Sequence, residues 1–189
     1  MSRLITALLL CLLASATMAD QSDPRLNPLF EKLKGAHEEN EAVGTANEIW
    51  KIWFQYRDAD IAAQLQEAVK AKDAGNLDQA LEIVNKVVER APDFAEAWNQ
   101  RAIIYYNVGY YDASLKDVEE TLKLEPRHFG ALSGRGMCYL GLRDPDAALD
   151  AFEEALYVHP WLTTARTYAA TLREREAIRR RNGLTDVNR

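Results

Sequence analysis

The sequence predicts an all-α fold: an α-solenoid of stacked antiparallel helix hairpins, closed by a C-terminal capping helix. Three observations predict it. Pro92, Pro126 and Pro160 stand 34 residues apart. The same period carries the small residues Ala80, Ser114 and Ala148, the turn positions Gly75, Gly109 and Arg143, and the apolar positions Val88, Leu122 and Leu156. A repeat of this length is the mark of hairpins that bury a core only by stacking on one another. Within a period the apolar residues fall at helical spacing: Trp98, Ala102 and Tyr105 share one face, and Leu115, Val118 and Leu122 share the next.

Taken in order, residues 1–19 read as a secretory signal. Arg3 is the basic start, Leu4 to Leu13 carries no charge, and small residues follow, with cleavage expected after Ala16 or Ala19. The apolar run is shorter than the roughly 20 residues that span a bilayer, although an uncleaved anchor is the alternative. Cys11 follows leucines rather than the small residues of a lipoprotein site, which argues against lipidation. Residues 20–26 read as a linker.

Residues 27–60 read as a degenerate hairpin stacked on the first clear repeat. Phe30 and Leu33 take first-helix positions, Ala46 takes the small-residue column, and Gly44 with the polar stretch Glu38 to Glu41 marks the break. One long helix with an aromatic end is the alternative. Three repeats follow, at 61–94, 95–128 and 129–162. Gly109 ends a first helix, and Pro126 stops a second because proline cannot continue it. Asp144 and Asn76 are candidate N-caps, with Pro145 suited to the first helical position. Residues 163–182 form the cap, with Ala165, Tyr168, Ala169 and Leu172 as its apolar stripe. Residues 183–189 are a loose tail.

Composition agrees with a globular chain, at 48% hydrophobic and 28% charged residues. Loss of Arg3 with residues 1–19 takes the formal net charge from −6 to −7, a balance that disfavours nucleic acid. From Arg166 onward seven arginines face only Glu174, Glu176 and Asp186, so this end is basic while the rest is acidic. Cys138 is the one cysteine of the mature chain, so no internal disulfide forms and a buried thiol is expected.

The pattern resembles the tetratricopeptide repeat family. Trp98, Ala102, Tyr105, Gly109, Tyr111, Ser114, Thr121 and Pro126 carry the resemblance in the second repeat. Gly136, Tyr139, Ala148, Phe152, Ala155 and Pro160 carry it in the third. The first repeat departs from it, with Gln64, Glu67 and Ala71 where the family prefers large or apolar groups. The resemblance implies a concave face built by the first helix of each repeat. That face would carry Leu65, Val69, Lys72, Glu96, Asn99, Gln100, Ile103, Tyr106, Asn107, Ser133 and Met137 as a partner-binding groove. Chaperone-binding members of the family hold a C-terminal carboxylate with a clamp of Lys, Asn and Arg. The matching positions here are Leu65, Val69, Gln100, Gly130 and Gly134, so the clamp is absent and the groove suits a polar and apolar peptide or helix. A terminal helix partly filling the groove is the alternative.

No catalytic chemistry is legible. His37, His128 and His159 belong to different units, and no Cys or His pair has metal-ligand spacing. Gly134-Arg135-Gly136 lies inside a predicted helix with no strand before it, so it is not a phosphate loop. The expectation is a non-enzymatic, exported protein, periplasmic in the first instance, with no cofactor, metal, nucleic acid or small-molecule substrate. Its partner is another protein. Trp50 and Trp53 read first as core of the N-terminal hairpin, and Arg173, Arg179 and Arg180 as a solvated helix face; the alternative is that the aromatic run Trp50, Trp53 and Phe54, or these arginines, docks a partner, the arginines also meeting lipid headgroups. The rival roles are a regulatory or assembly subunit of an envelope complex and a self-assembling structural protein.

Overall fold

The computed structural model describes residues 20–183, so the signal at 1–19 and the tail from 184 lie outside the described residues. Among the described residues the chain forms nine helices and no strand: α1 (Leu26–Lys34), α2 (Glu39–Trp53), α3 (Ala59–Asp73), α4 (Leu77–Arg90), α5 (Ala95–Asn107), α6 (Tyr111–Leu124), α7 (Phe129–Gly141), α8 (Pro145–Val158) and α9 (Thr163–Arg181). The hairpins α3–α4, α5–α6 and α7–α8 stack in order, and α9 packs on α8.

The small-residue column explains the close crossings. Ala80, Ser114 and Ala148 are each the fourth residue of a second helix and each is buried. Ser114 also donates its hydroxyl to the carbonyl of Ala102, at 2.8 Å. At Gly136 an added Cβ would lie 2.6 Å from the ring of Phe152, so glycine is what lets that ring reach the crossing. Cys138 is buried, donates to Ser114 Oγ at 3.1 Å, and has its thiol pushed up by burial. Trp98 is only partly buried and donates its indole N–H to the carbonyl of Pro92, so the deep aromatic positions of the repeats are Phe94, Phe129 and Phe152 instead.

The turns inside the hairpins share one geometry. The amides of Asn76, Tyr110 and Asp144 each bond back to the carbonyl five residues before, at 2.9 Å. That closure needs a left-handed residue just ahead of the bond. Gly75 and Gly109 supply it with φ of 80° and 83°, whereas the third turn uses Arg143 at φ 63°. Asp144 caps α8 by accepting from Ala147 N, while Asn76 makes no side-chain cap bond. Arg143→Gly should therefore stabilise the fold by about 0.5–1 kcal/mol, the left-handed strain less the added chain entropy of glycine. Its urea midpoint should rise while Gly109→Arg lowers it.

The N-terminal hairpin departs from expectation in break and in position. The break is Gly35–Glu38, and Gly44 lies inside α2. His37 sits exposed in the turn. The helices of the hairpin do not simply stack on the first repeat: α1 packs on α8, and only Phe54 and Tyr56 at the hairpin's end reach the core of the first repeat. Its apolar residues, Leu26, Phe30, Leu33, Ile49, Ile52 and Trp53, form one core with Phe129, closed by Val158, Trp161 and Leu162. The chain therefore crosses back over the repeats.

Residues 20–25 are no free linker. Gln21 donates to the carbonyl of Asp93 at 2.6 Å and accepts from Ala95 N, and Asp20 and Asp23 are buried. From the other side of the hairpin, Tyr56 and Arg57 each reach the Asp93 carboxylate at 2.6 Å. Burial, with that carboxylate beside it, pushes Tyr56 up to about 12. The α4–α5 turn thus pins both ends of the hairpin.

Candidate functional site

The site is the face made by the first helices, and the hairpin divides it. At one end lies a docking seat. Trp53, 1% exposed, stacks flat on the His128 ring with centroids 4.0 Å apart. Trp50 meets His128 and Phe129 edge-on, at 5.4 and 5.3 Å. The seat exists because Gly130 has no side chain: a Cβ there would be 2.6 Å from the tip of the Trp50 indole.

Beneath the seat runs a buried polar network. His128 is the N-cap of α7, its Nδ1 accepting from Ala131 N at 3.1 Å. A ring nitrogen that accepts carries no proton, so Nε2 holds it and donates to Glu96 Oε2 at 2.9 Å. Asn99 Nδ2 and Gln100 Nε2 also donate to the Glu96 carboxyl group, Gln100 at 2.6 Å. Gln100 Oε1 and Trp53 Nε1 are buried without a partner. His159 lies next to the seat, edge-on to Phe129 at 5.1 Å, and burial pushes it down to about 4. The folded state thus keeps it neutral where an unfolded imidazole takes a proton. Stability should be whole above pH 6.5 and fall as pH drops toward 4. Urea midpoints of His159→Phe should show a flatter profile over that window.

The other end of the face is open. A cavity of about 280 Å³ is walled by Asn99, Ile103, Tyr106, Asn107, Ser133, Gly134 and Met137, with Ala102, Ser114 and Val118 as its floor. None of these carries a charge. Burial pushes the Tyr106 phenol up.

Of the residues expected in the groove, the structure gathers Asn99, Ile103, Tyr106, Asn107, Ser133 and Met137 around this cavity. Glu96 and Gln100 are instead buried in the network under the hairpin, so neither is presented to a partner. Leu65 is fully buried in the α3–α4 core, a correction that follows from its position on the inward side of α3. Val69 and Lys72 are half-exposed further along, with Lys72 paired to Asp73. Trp50, Trp53 and Phe54 do dock, but Trp50 and Trp53 dock on this chain's own α7. The basic face of α9 is matched to acids: Arg173 to Glu153, Arg179 to Asp146 and Arg180 to Glu176. The sequence gives no sign of His128, Phe129 and Gly130 as a seat, because nothing local in it says what lies above a glycine.

Among the described residues no group of His, Cys, Asp and Glu could hold a metal, and no helix is long and apolar enough to cross a membrane. The tetratricopeptide repeat family model matches residues 65–109 and 99–160. A TPR repeat-containing protein of Rhizobium etli is 35% identical over 82 residues, 43% of this chain and 40% of that protein's length. The chain thus spans well under half of that curated relative. Among solved structures, the Sgt2 TPR domain from Aspergillus fumigatus aligns with a TM-score of 0.61 at 16% identity, covering 70% of this chain and 88% of that one. The first TPR of Spaghetti (RPAP3), bound to an HSP90 peptide, aligns with a TM-score of 0.59 at 19% identity, covering 62% and 93%. At these identities the likeness is one of fold.

Proposed function

The chain belongs to the tetratricopeptide repeat family, and from that premise we propose that it is an exported adaptor that binds a segment of another protein in the open half of its concave face. One observation carries this reading: the uncharged cavity between α5 and α7, left open beside a groove end that the chain already covers. The Spaghetti domain, with its HSP90 peptide, supports a face of this kind holding a peptide. The pattern of residues 1–19 supports export, to a periplasm or another extracytoplasmic space. The groove's lack of cations supports a partner segment that is apolar and amide-rich rather than an acidic chain end.

The test uses the mature chain as bait in envelope extracts. Tyr106→Ala with Asn107→Ala should abolish capture while the protein still unfolds cooperatively, at a somewhat lower midpoint because half-buried Tyr106 also packs on Tyr111. Capture should change little between low and high salt, because screening acts on charge pairs that this face lacks. If reversal of Arg173 and Arg180 removes capture and the groove pair does not, the site is α9 and this reading fails. Intact-mass measurement on protein from its host should find a start at Asp20 or Thr17, and an uncleaved Met1 would refute export.

A further inference from the structure

We infer that the cavity beside Gly134 is a pocket for one aromatic side chain of the partner, and that this side chain is what the groove selects. The inference rests on the reading of the open groove given above.

Gly130 and Gly134 are four residues apart, so they lie one turn apart on the same helix face. At Gly130 a side chain is excluded because the indole of Trp50 stands where its Cβ would be, 2.6 Å away. At Gly134 an added Cβ would meet nothing within 4 Å. The face therefore carries two notches. One is filled by this chain's own α2, and the other is the empty cavity.

The filled notch shows what such a notch accepts. Trp50 sits there edge-on to two rings, a geometry favoured by the quadrupoles of aromatic pairs. The open notch offers similar contacts. Tyr106 presents a ring and Met137 a thioether, and both interact well with an aromatic edge. The floor of Ala102, Ser114 and Val118 is uncharged, and the polar groups of the lining are all neutral: the amides of Asn99 and Asn107, the hydroxyls of Ser114 and Ser133 and the phenol of Tyr106. A cationic or anionic side chain entering here would lose its water with no opposite charge to meet. A small aliphatic one would leave much of the 280 Å³ unfilled. That volume is just below the roughly 300–1,000 Å³ of small-molecule sites, which suits a single side chain better than a whole ligand. Phe, Tyr or Trp on a neutral segment meets all of these conditions. Such a segment would continue the aromatic row that Trp53 and Trp50 begin.

The test uses the full mature chain with labelled methionine, isoleucine and valine methyls. The probes are the N-acetyl amides of Trp, Phe, Leu, Lys and Glu. The Trp and Phe amides should shift the methyls of Met137, Ile103 and Val118 saturably, about tenfold more tightly than the Leu amide, a difference of about 1.4 kcal/mol. The Lys and Glu amides should leave them unmoved. Gly134→Met should fold, since space exists for its side chain, and should fill the pocket and remove the shifts. Gly134→Ala, which only adds a methyl and favours the helix, should weaken them. Equal binding of charged and aromatic amides, or an unchanged response in Gly134→Met, overturns the pocket. Failure of the amides while Tyr106→Ala with Asn107→Ala still abolishes capture overturns the pocket and leaves the groove reading standing. Binding of the amides with capture intact in both Gly134→Met and the groove pair overturns the partner's use of the pocket, and the groove reading with it.

Discussion

Replacing Trp53 with Ala should cost about 3–5 kcal/mol, the range for removing a large aromatic from a packed core. Trp53 is buried against Phe30 and Phe129, stacked on His128 and edge-on to Trp50, so it touches both the hairpin and the repeats. The loss falls on the seat rather than on the α5–α8 core. Hydrogen exchange should therefore speed up first at the amides of α1 and α2, while those around Val118 and Phe152 stay protected. Gly130→Ala should do the same with no cavity made, because its Cβ would push on a Trp50 ring already hemmed in by Trp53, Phe54 and Phe129. A single cooperative loss across all nine described helices would contradict this, since it would make the hairpin one unit with the solenoid. Trp98→Ala should cost less than Trp53→Ala despite its place in the repeat pattern, because part of that ring already faces water.

The repeats were legible because their packing is local and periodic. Each hairpin buries residues at a fixed offset, so Ala80, Ser114 and Ala148 announce one crossing three times over. The left-handed turn was legible at Gly75 and Gly109, and less so at Arg143, which holds the conformation against its own preference. The position of the N-terminal hairpin was not legible. Its contacts join Trp161 to Ala36, Arg127 to Asn27 and Gln21 to Asp93, pairs separated by 72 to 125 residues. No periodicity reports such pairs. The aromatic run Trp50, Trp53 and Phe54 could be marked as either core or docking surface, and Trp53 proved to be both. Part of the groove was mislocated for the same reason: Glu96 and Gln100 occupy groove positions of α5, yet the structure buries them under the hairpin. Leu65 was misplaced by one helix face, within a repeat whose degenerate columns give the register little support.

Replacing Glu96 with Ala should be the most damaging single polar change, at about 3–5 kcal/mol, because several buried neutral donors lose their acceptor at roughly 1–3 kcal/mol each. Glu96 and His128 are both fully shielded from solvent at their side chains, and the Glu96 carboxyl group is the common acceptor for His128, Asn99 and Gln100. Its removal leaves three buried donor groups facing a void, and an unsatisfied buried donor costs far more than a made bond contributes. Glu96→Gln should also destabilise, since its amide nitrogen cannot accept from those donors. Glu89→Ala, on an exposed position of α4, should stay within about 0.5 kcal/mol. The decisive measurement is the double variant. If Trp53 is what keeps water from His128, then in the Trp53→Ala background the freed donors find solvent and Glu96→Ala costs less than it does alone. The two losses in urea unfolding should thus fall short of their sum by about 1 kcal/mol or more. Strict additivity would mean that the polar network is shielded by the repeats themselves, and that the hairpin covers the groove without sealing it.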